Sequence, residues 1–396
     1  MADQFQVLIL NNVSQNGLKR LPAERFHCAK DVAKPDAILL RSADLHGVEI
    51  AGSVMAIGRA GSGTNNIPVG EMTKRGVPVF NAPGANANAV KELVLAGMLL
   101  AARNIGGAMK FVTGLDPKDP EMEKKVEDGK KTFAGYEISG HTLGVVGLGK
   151  IGCLVADAAI KLGMHVVGYD PEITVDAAWS LPSQVRRANS LGEVLKSCNF
   201  ITLHVPLVDA TRKMINAASI EQMKHGAVLL NFSREGVVDE DAVLKALEAK
   251  KLGCYVCDFP SPHVNAHPHV VALPHLGAST REAEENCAIM VADQVRDYLL
   301  DGNIVNSVNF PNVVMPRESA YRLAIANANV PNMVGQISTA MAEAKLNIHN
   351  MMNKSKKDLA YTLVDVDSKV PKKVIDQIAR IEGVLAVRYL PMPEDR

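Results

Sequence analysis

The sequence predicts an α/β protein with two doubly wound parallel sheets, followed by a small C-terminal ferredoxin-like βαββαβ domain. Three observations support this fold class. Short apolar runs alternate with helical patterns over most of the chain, and the glycine-rich segment GVVGLGKIG joins a strand pattern to a helix pattern. The last segment, 321–390, carries four strand patterns around two helix patterns.

The N-terminal part contains four apolar runs of strand length, each followed by polar or turn-forming residues. These runs are Val7–Leu10, Ala37–Leu40, Val54–Ile57 and Val77–Phe80. Strands that alternate with helices form parallel sheets, and ligands collect beyond the carboxyl ends of such strands. The loops after the four runs are therefore candidate binding loops, and Arg41 and Arg59 lie in two of them.

A second set of strands begins near Thr142. The predicted strands are Leu143–Val146, His165–Tyr169, Phe200–Val205, Ala227–Asn231 and Tyr255–Asp258. The three clearest helices are Lys91–Asn104, Lys150–Leu162 and Glu282–Leu300. The charged segment Gly114–Lys131 is predicted to be a solvated insertion, and Asn303–Arg317, which lacks periodicity, is predicted to be a linker.

The C-terminal segment is predicted to alternate strands and helices in the βαββαβ order. Its elements are Leu323–Ala328, Met333–Ala344, Ile348–Lys354, Leu359–Val366, Lys372–Ile381 and Val384–Tyr389. This order is typical of ferredoxin-like domains, which are large enough to hold a small core of their own.

Length and composition exclude several classes of protein. A chain of 396 residues is long enough for two or three domains. The 43 basic and 43 acidic residues leave no basic excess for nucleic acid, and no apolar stretch approaches the roughly 20 residues of a membrane span. The 6 cysteines are too sparse for a disulfide scaffold, and the first residues lack the pattern of a signal peptide. We therefore expect a cytoplasmic globular enzyme.

The glycine-rich loop predicts a dinucleotide site. Gly147, Gly149 and Gly152 have the G-x-G-x-x-G spacing, which permits a tight turn and brings a pyrophosphate to a helix N-terminus. The next strand ends in Asp170, an acid that can accept hydrogen bonds from both hydroxyls of an adenosine ribose and would repel a 2′-phosphate. The sequence thus favours NAD over NADP; the alternative is a glycine-rich turn beside a surface acid.

Several motifs together resemble the D-isomer-specific 2-hydroxyacid dehydrogenase family over nearly the whole chain. They are GVVGLGKIG, YDP (Tyr169–Pro171), HVPL (His204–Leu207), NFSREGVVDE (Asn231–Glu240), PHLGAST (Pro274–Thr280), and the earlier RAGSGTNN and FNAPGANANAVKEL. The C-terminal unit resembles an ACT domain. The resemblance implies a substrate-binding domain of residues 1–90 and 282–305, an NAD-binding domain of residues 91–281, a linker at 306–318 and an ACT-like domain at 319–396. It also implies an active site in the cleft between the first two domains.

The resemblance further implies the roles of individual residues. The catalytic residues would be Arg234, His275 and Asp258. Residues bordering the cofactor would be Gly147, Gly149, Lys150, Ile151, Gly152, Asp170, His204, Val205, Pro206, Phe232, Ser233, Arg234, Asp258, His275 and Gly277. The substrate would contact Ser62, Gly63 and Asn86.

The chemistry of the residues agrees with two of these roles. A planar guanidinium at Arg234 can bind a 2-oxo or 2-hydroxy carboxylate with two hydrogen bonds. An imidazole such as His275 can exchange a proton near neutral pH. The alternatives are a surface salt bridge for Arg234 and a hydrogen-bonded core histidine for His275.

One departure from the family pattern concerns the acid that orients the catalytic histidine. The family places a glutamate five residues after an aspartate, but in CDFPSPHV that position is His263 after Asp258. The next glutamate is Glu282. We therefore expect His275 to work without its usual carboxylate partner, with Asp258 a partial substitute.

Two further ligands are considered. A substrate phosphate would need cations, for which Arg41 and Arg59 are candidates and Lys110 and Lys131 weaker ones. In the C-terminal unit, Asn327, Asn329 and Asn347 are candidate ligands for an amino-acid effector such as L-serine, because amides can pair with both its charged groups. The alternative for that unit is a plain dimerisation module, and a homodimer or homotetramer is expected in either case.

Metal sites are weaker candidates. Cys254 and Cys257 form a CxxC pattern, but residues three apart on a strand face opposite sides. The loop histidines His263, His267 and His269 lack cysteine or carboxylate partners nearby. No metal is expected.

The leading functional hypothesis is NAD-dependent oxidation of D-3-phosphoglycerate to 3-phosphohydroxypyruvate, the first step towards L-serine. A glyoxylate or hydroxypyruvate reductase, which needs no phosphate site, is the alternative within the family. A regulatory protein that responds to NAD without turnover is the alternative outside enzymes; the missing glutamate favours it, whereas Arg234 and His275 oppose it.

Overall fold

The computed structural model describes residues 4–392 and confirms the predicted fold class: two parallel sheets and one small antiparallel sheet. Residues 1–3 of the predicted substrate-binding domain and residues 393–396 of the predicted ACT-like domain lie outside the described range. Contacts divide the chain into two compact units. The first unit runs up to Asn86 and resumes at Arg281; the second is Ala87–Thr280.

The strands, in chain order, are β1 (Phe5–Ile9), β2 (Phe26–Ala29), β3 (Ala37–Leu40), β4 (Ala56–Arg59), β5 (Val79–Phe80), β6 (Thr142–Val146), β7 (His165–Tyr169), β8 (Arg186–Arg187), β9 (Phe200–Leu203), β10 (Ala227–Asn231), β11 (Leu252–Cys257), β12 (Val270–Ala272), β13 (Tyr321–Ala328), β14 (Ile348–Lys356), β15 (Leu359–Val366) and β16 (Val384–Pro391). The helices are α1 (Gln15–Leu18), α2 (Val69–Lys74), α3 (Ala87–Ala102), α4 (Ile105–Thr113), α5 (Met122–Gly129), α6 (Lys150–Lys161), α7 (Val175–Ser180), α8 (Leu191–Ser197), α9 (Ala217–Glu221), α10 (Glu240–Glu248), α11 (Arg281–Asp301), α12 (Met333–Glu343) and α13 (Lys372–Ala379).

The first unit contains a five-stranded parallel sheet with the order β2-β1-β3-β4-β5. The long helix α11 packs on this sheet, and its buried Val291 and Val295 contact the strand residue Gly58. Sequence analysis missed β2, because only Phe26 of that strand is fully buried and its apolar pattern is correspondingly short.

The same unit contains the C-terminal antiparallel sheet, with the order β14-β15-β13-β16 and helices α12 and α13. This confirms the predicted βαββαβ order. Ala324, Tyr361, Leu363 and Leu390 of the small sheet belong to the same apolar core as α11. The two sheets of the first unit therefore share buried surface.

The segment predicted to be a linker is ordered and partly buried. Phe310, Val313 and Met315 are fully buried, and the side chain of Asn309 bonds to backbone groups of Val77 and Val79. Apolar side chains at irregular spacing gave no periodic signal, so the sequence did not reveal that this segment packs.

The second unit is a seven-stranded parallel sheet with the order β12-β11-β10-β9-β6-β7-β8. Apolar clusters lie on both faces, as expected for buried parallel strands. The insertion after α3 forms α4 and α5, neither of which has a buried residue. Among residues 4–392, no single helix is long and apolar enough to cross a membrane; α3 and α4 pass that test only as a pair bent by 70°.

Candidate active site

The glycine-rich loop connects β6 to α6 with little room for side chains. Gly147 has φ +92°, and a Cβ there would lie 2.6 Å from the carbonyl oxygen of His204. A Cβ on Gly152 would lie 2.0 Å from the carbonyl oxygen of Gly147, whereas Gly149, at the start of α6, faces open space. No described side chain caps α6, so its first backbone N–H groups can receive a phosphate.

Asp170 directly follows β7, and two backbone N–H groups orient its carboxylate. Its Oδ2 accepts a hydrogen bond from the backbone N–H of Leu148 at 2.8 Å, and its Oδ1 accepts one from that of Glu172 at 2.9 Å. An ionised carboxylate has about four acceptor sites, so two stay available for ribose hydroxyls. Asp170 is thus oriented next to the glycine-rich loop. On α6 itself, Lys150 is exposed and Ile151 packs partly into the core.

His204 follows β9, beside the loop. Its Nε2 lies 3.0 Å from the hydroxyl of Thr202, and its Nδ1 is buried with no hydrogen-bond partner among the described residues. Burial lowers the pKa of His204 to about 3, so its imidazole is neutral. Of the next two residues, Val205 is half-buried and Pro206 is exposed. An unpartnered buried nitrogen, an uncapped helix and a glycine cradle together fit a dinucleotide.

Arg234 lies in the loop after β10, on a fixed backbone. The side chain of Asn231 accepts hydrogen bonds from the N–H and hydroxyl of Ser233 and donates one to the carbonyl of Arg234 at 2.9 Å. Phe232 and Ser233 are buried, whereas Arg234 is exposed. Its Nη1 donates to the carbonyl of Ser233 at 2.7 Å, and no carboxylate in the described range pairs with it. Most of its N–H donors are therefore open to a ligand.

Asp258 organises the loop that carries His275. Its two carboxylate oxygens accept the backbone N–H groups of Leu276 and Gly277 at 2.7 and 2.8 Å, and its carbonyl accepts that of His275 at 3.1 Å. Burial raises the pKa of Asp258, while the two backbone hydrogen bonds and nearby His275 act in the opposite direction. His275 has φ +55°, a conformation that the surrounding bonds must hold.

The ring of Phe259 lies close to both principal candidates, Arg234 and His275, and sequence analysis missed it. Its ring centroid is 4.4 Å from that of His275 and 6.0 Å from the Arg234 Cζ atom. The structure therefore places Arg234 and His275 next to the same aromatic ring. An aromatic residue directly after a predicted site acid was the available signal.

His263, which occupies the family's glutamate position, does not contact His275. It is exposed, with Asp241 Oδ1 3.5 Å from its Nε2 and the hydroxyl of Ser261 3.4 Å away. The buried carboxylate nearby belongs to Glu240, which accepts hydrogen bonds from the hydroxyls of Tyr255 and Ser261. Across residues 4–392, no side chain hydrogen-bonds to the His275 ring.

In the first unit, Asn66 connects the two candidate phosphate-binding arginines. Its Oδ1 accepts from the Arg59 Nε at 3.1 Å, and its Nδ2 donates to the carbonyls of Ala43 at 2.6 Å and Arg41 at 3.3 Å. The Arg41 guanidinium also pairs with Glu284 on α11, Nη1 to Oε1, at 2.5 Å. Sequence analysis singled out neither Asn66 nor Glu284, because their partners are distant along the chain.

The other substrate-side candidates lie in the same unit. The carbonyl of Ser62 accepts from the side chain of Asn81 at 2.6 Å, which ties the loop containing Gly63 to the segment that ends at Asn86. Asn86 is half-buried. The weaker cation candidates, Lys110 and Lys131, are exposed on the insertion of the second unit.

The C-terminal asparagines differ in availability. Asn327 is buried, with its amide bonded to the carbonyl of Ala328 and the hydroxyl of Thr362, so it has little to offer a ligand. Asn329 and Asn347 are exposed. The adjacent pairs Ala328↔Leu359 and Ile348↔Val366 are seven residues apart on β15, so the two amides lie about 24 Å apart at opposite ends of the sheet.

Cys254 and Cys257 lie in apolar clusters on opposite faces of the sheet, which confirms that they cannot chelate together. Burial raises the pKa of each thiol to about 12. Within the described range, no group of three or more His, Cys, Asp or Glu side chains has a metal-binding arrangement.

The order of the strands in the seven-stranded sheet explains why the candidate residues of the second unit lie near one another. Gly147, Asp170 and His204 follow β6, β7 and β9, while Arg234, Asp258 and His275 follow β10, β11 and β12. All six strands are consecutive in one parallel sheet, so these residues share its carboxyl edge.

Comparison with known proteins agrees with this arrangement. Residues 98–277 match the NAD-binding domain of the D-isomer specific 2-hydroxyacid dehydrogenases. A D-3-phosphoglycerate dehydrogenase from Haemophilus influenzae is 33% identical over 359 residues, covering 87% of this chain and 83% of that protein. The chain belongs to the D-isomer specific 2-hydroxyacid dehydrogenase family. It is an NAD-dependent dehydrogenase, which confirms the predicted class of enzyme and its cofactor.

Two further relatives show how far the likeness extends. A D-3-phosphoglycerate dehydrogenase from Synechocystis is 37% identical, and the match covers 85% of this chain and 60% of that protein. The crystal structure of NAD⁺-bound 3-phosphoglycerate dehydrogenase from Entamoeba histolytica superimposes with a TM-score of 0.60 at 23% identity, covering 78% of this chain and 99% of that one. At that identity the structural likeness establishes the fold.

Proposed function

We propose that this dehydrogenase oxidises D-3-phosphoglycerate to 3-phosphohydroxypyruvate with NAD, the first reaction towards L-serine. The observation that carries the proposal is the pair Arg234 and His275, held around Phe259 at the carboxyl edge of the nucleotide-binding sheet. The names of the curated relatives agree with it.

Arg234 supplies the carboxylate-binding cation. Its open N–H donors can form two parallel hydrogen bonds with the substrate carboxylate. Because the Asn231 side chain fixes the backbone on both sides, the guanidinium projects from a rigid support.

His275 exchanges the proton of the reacting oxygen. Bound NAD supplies the hydride acceptor of the reaction. As the C2 hydride leaves, neutral His275 takes the hydroxyl proton, so that alcohol becomes ketone and hydride and proton are both accounted for. Asp258 positions this loop through backbone hydrogen bonds, and Phe259 limits the ring's orientation.

The test is steady-state kinetics with NADH and three oxo acids: 3-phosphohydroxypyruvate, hydroxypyruvate and glyoxylate. We expect the phosphorylated acid to have the highest kcat/KM. His275→Ala should lower kcat by about 10²–10⁴-fold, the usual contribution of a general acid or base, while NADH still binds. Higher efficiency with glyoxylate would favour the reductase alternative, and NADH binding without turnover of any acid would favour a regulatory protein.

Asp170 is proposed to set the preference for NAD. A 2′-phosphate next to this oriented carboxylate would suffer like-charge repulsion of about 2–4 kcal/mol, so NADH should be used about a hundredfold more efficiently than NADPH. Asp170→Ala should reduce that ratio. Equal use of both cofactors by the wild type would contradict the assignment.

The C-terminal unit is proposed to bind a small amino acid, L-serine first, as an ACT domain does. Asn329 and Asn347 are exposed at opposite ends of one sheet, so both can contact one ligand only if two copies of the chain meet. A homodimer or homotetramer is part of this proposal.

Calorimetry on the full chain is the suitable test, because the small sheet shares its core with the rest of the first unit. Serine should release or absorb heat with the wild type and not with Asn347→Ala. Absence of binding by serine, glycine and alanine would leave the unit with an assembly role alone.

A further inference from the structure

Four side chains of the first unit form a charged cluster where β3, β4 and α11 meet. Arg41, directly after β3, pairs with Glu284 in the first turn of α11 at 2.5 Å. Both side chains are only partly exposed, at 33% and 44%. Arg59, the last residue of β4, is joined to the Arg41 loop through Asn66.

The thiol of Cys287 shows that these charges share one environment. Burial raises the pKa of Cys287, Arg41 and Arg59 both act to lower it, and Glu284 acts to raise it. Cys287 is 4% exposed and lies one helical turn after Glu284. Of the two candidate phosphate-binding cations, Arg41 is the one that pairs directly with an acid of the protein itself.

A guanidinium that already holds a carboxylate cannot hold a phosphate with the same N–H groups. The Nη1 group of Arg41 must release Glu284 before it can hold a phosphate, and a carboxylate that stays nearby repels a dianion. Glu284 can leave, because 44% of its side-chain surface is exposed and water can solvate the freed carboxylate.

We propose that Glu284 is a specificity-determining residue, an internal anion that competes with the substrate phosphate for Arg41. This inference rests on the proposed function. In the free enzyme Glu284 neutralises Arg41; when a phosphorylated substrate binds, the phosphate replaces it. Glu284 thereby weakens binding of the phosphorylated acid relative to an acid with an uncharged tail.

The test compares 3-phosphohydroxypyruvate with hydroxypyruvate in the wild type, in Glu284→Gln and in Glu282→Gln. Glu282 is the matched control, because it lies in the same helical turn and pairs with Arg281 in an exposed position. Glu284→Gln should raise the ratio of kcat/KM for the phosphorylated acid over the unphosphorylated one by about three- to fivefold, the range of a partly exposed ion pair. Glu282→Gln should leave the ratio as in the wild type.

Two further measurements make the test decisive. Inorganic phosphate should inhibit Glu284→Gln at lower concentration than the wild type. In an Arg41→Gln background, Glu284→Gln should have no further effect on the ratio, since the competed cation is gone.

The outcomes separate this inference from the proposed function. A wild type that uses both oxo acids equally overturns the proposed function, and the inference with it. A wild type that prefers the phosphorylated acid, with a ratio unchanged or lowered in Glu284→Gln, overturns the inference alone, because Glu284 then has no role or supports Arg41.

Discussion

Two arginines, Arg322 in the C-terminal sheet and Arg234 in the nucleotide-binding unit, use the same side chain in opposite ways. Arg322 is fully buried, and all five of its N–H groups have acceptors: two in Asp365 and three in the carbonyls of Asp301, Met315 and Pro316. Arg234 is exposed, and among the described residues its one hydrogen-bond acceptor is the neighbouring carbonyl of Ser233.

This difference shows which arginines have N–H donors available to bind a ligand. A guanidinium with every donor satisfied inside the protein joins segments of the fold and cannot bind a ligand. One with open donors on a fixed backbone adds little to stability, but it is ready for a carboxylate. Arg41, paired with an acid that can leave, is intermediate between the two.

Breaking the buried pair should have the largest effect. Asp365→Asn leaves a buried guanidinium without its counter-charge, so the free energy of unfolding should fall by about 3–5 kcal/mol. Urea denaturation measures this. Asp157→Asn, which breaks the exposed Lys161–Asp157 pair, is the control and should cost less than about 1 kcal/mol. A similar small cost in both variants would mean that Arg322 does not hold the segment.

Arg234→Lys should have the opposite effects, a loss of activity with little change in stability. The charge remains but the fork is lost, so kcat/KM should fall by about ten- to a hundredfold, the equivalent of about 1.5–3 kcal/mol for hydrogen bonds to a charged group. Stability should stay close to that of the wild type. Near-normal kcat/KM would remove Arg234 from the site.

A smaller effect on stability is expected at His204, a half-buried side chain whose Nδ1 atom is buried with no hydrogen-bond partner among the described residues. Its folded-state pKa of about 3 lies below the usual 6.5, so the unfolded state binds more protons as the pH falls. The free energy of unfolding is therefore unaffected by His204 above pH 6.5 and falls progressively as the pH drops towards 3. Between pH 7 and pH 5 the loss in the free energy of unfolding due to His204 should be at most about 2 kcal/mol.

Denaturation at the two pH values tests this in the wild type and in His204→Asn, with His225→Asn at an exposed position as control. The loss between pH 7 and pH 5 should be smaller in His204→Asn than in either other protein. An identical loss in all three would show that His204 is not the group responsible.

Much of the fold could be predicted, because parallel strands buried on both faces give continuous apolar runs. Ala37–Leu40, His165–Tyr169 and Ala227–Asn231 have the predicted bounds. Short edge strands such as β8, with exposed Arg186 and Arg187, carry no apolar signal and were missed.

The candidate site was predictable where the signal is local. The glycine spacing and Asp170 are separated by one βα turn, and their geometry follows from the backbone. Phe259, Asn66 and Glu284 depend on contacts between distant segments, which residue spacing does not encode. The sequence shows that the family's glutamate is absent from CDFPSPHV, but it does not show which side chains surround His275.

The most direct test of the account asks whether Arg234 and Arg41 serve different ends of the substrate. The measurement is kcat/KM for 3-phosphohydroxypyruvate and for hydroxypyruvate in the wild type, in Arg234→Lys and in Arg41→Gln. We predict that Arg234→Lys lowers both values by the same factor, since both acids carry the carboxylate. Arg41→Gln should lower only the value for the phosphorylated acid. A loss confined to one acid in Arg234→Lys, or an equal loss for both in Arg41→Gln, would contradict the account.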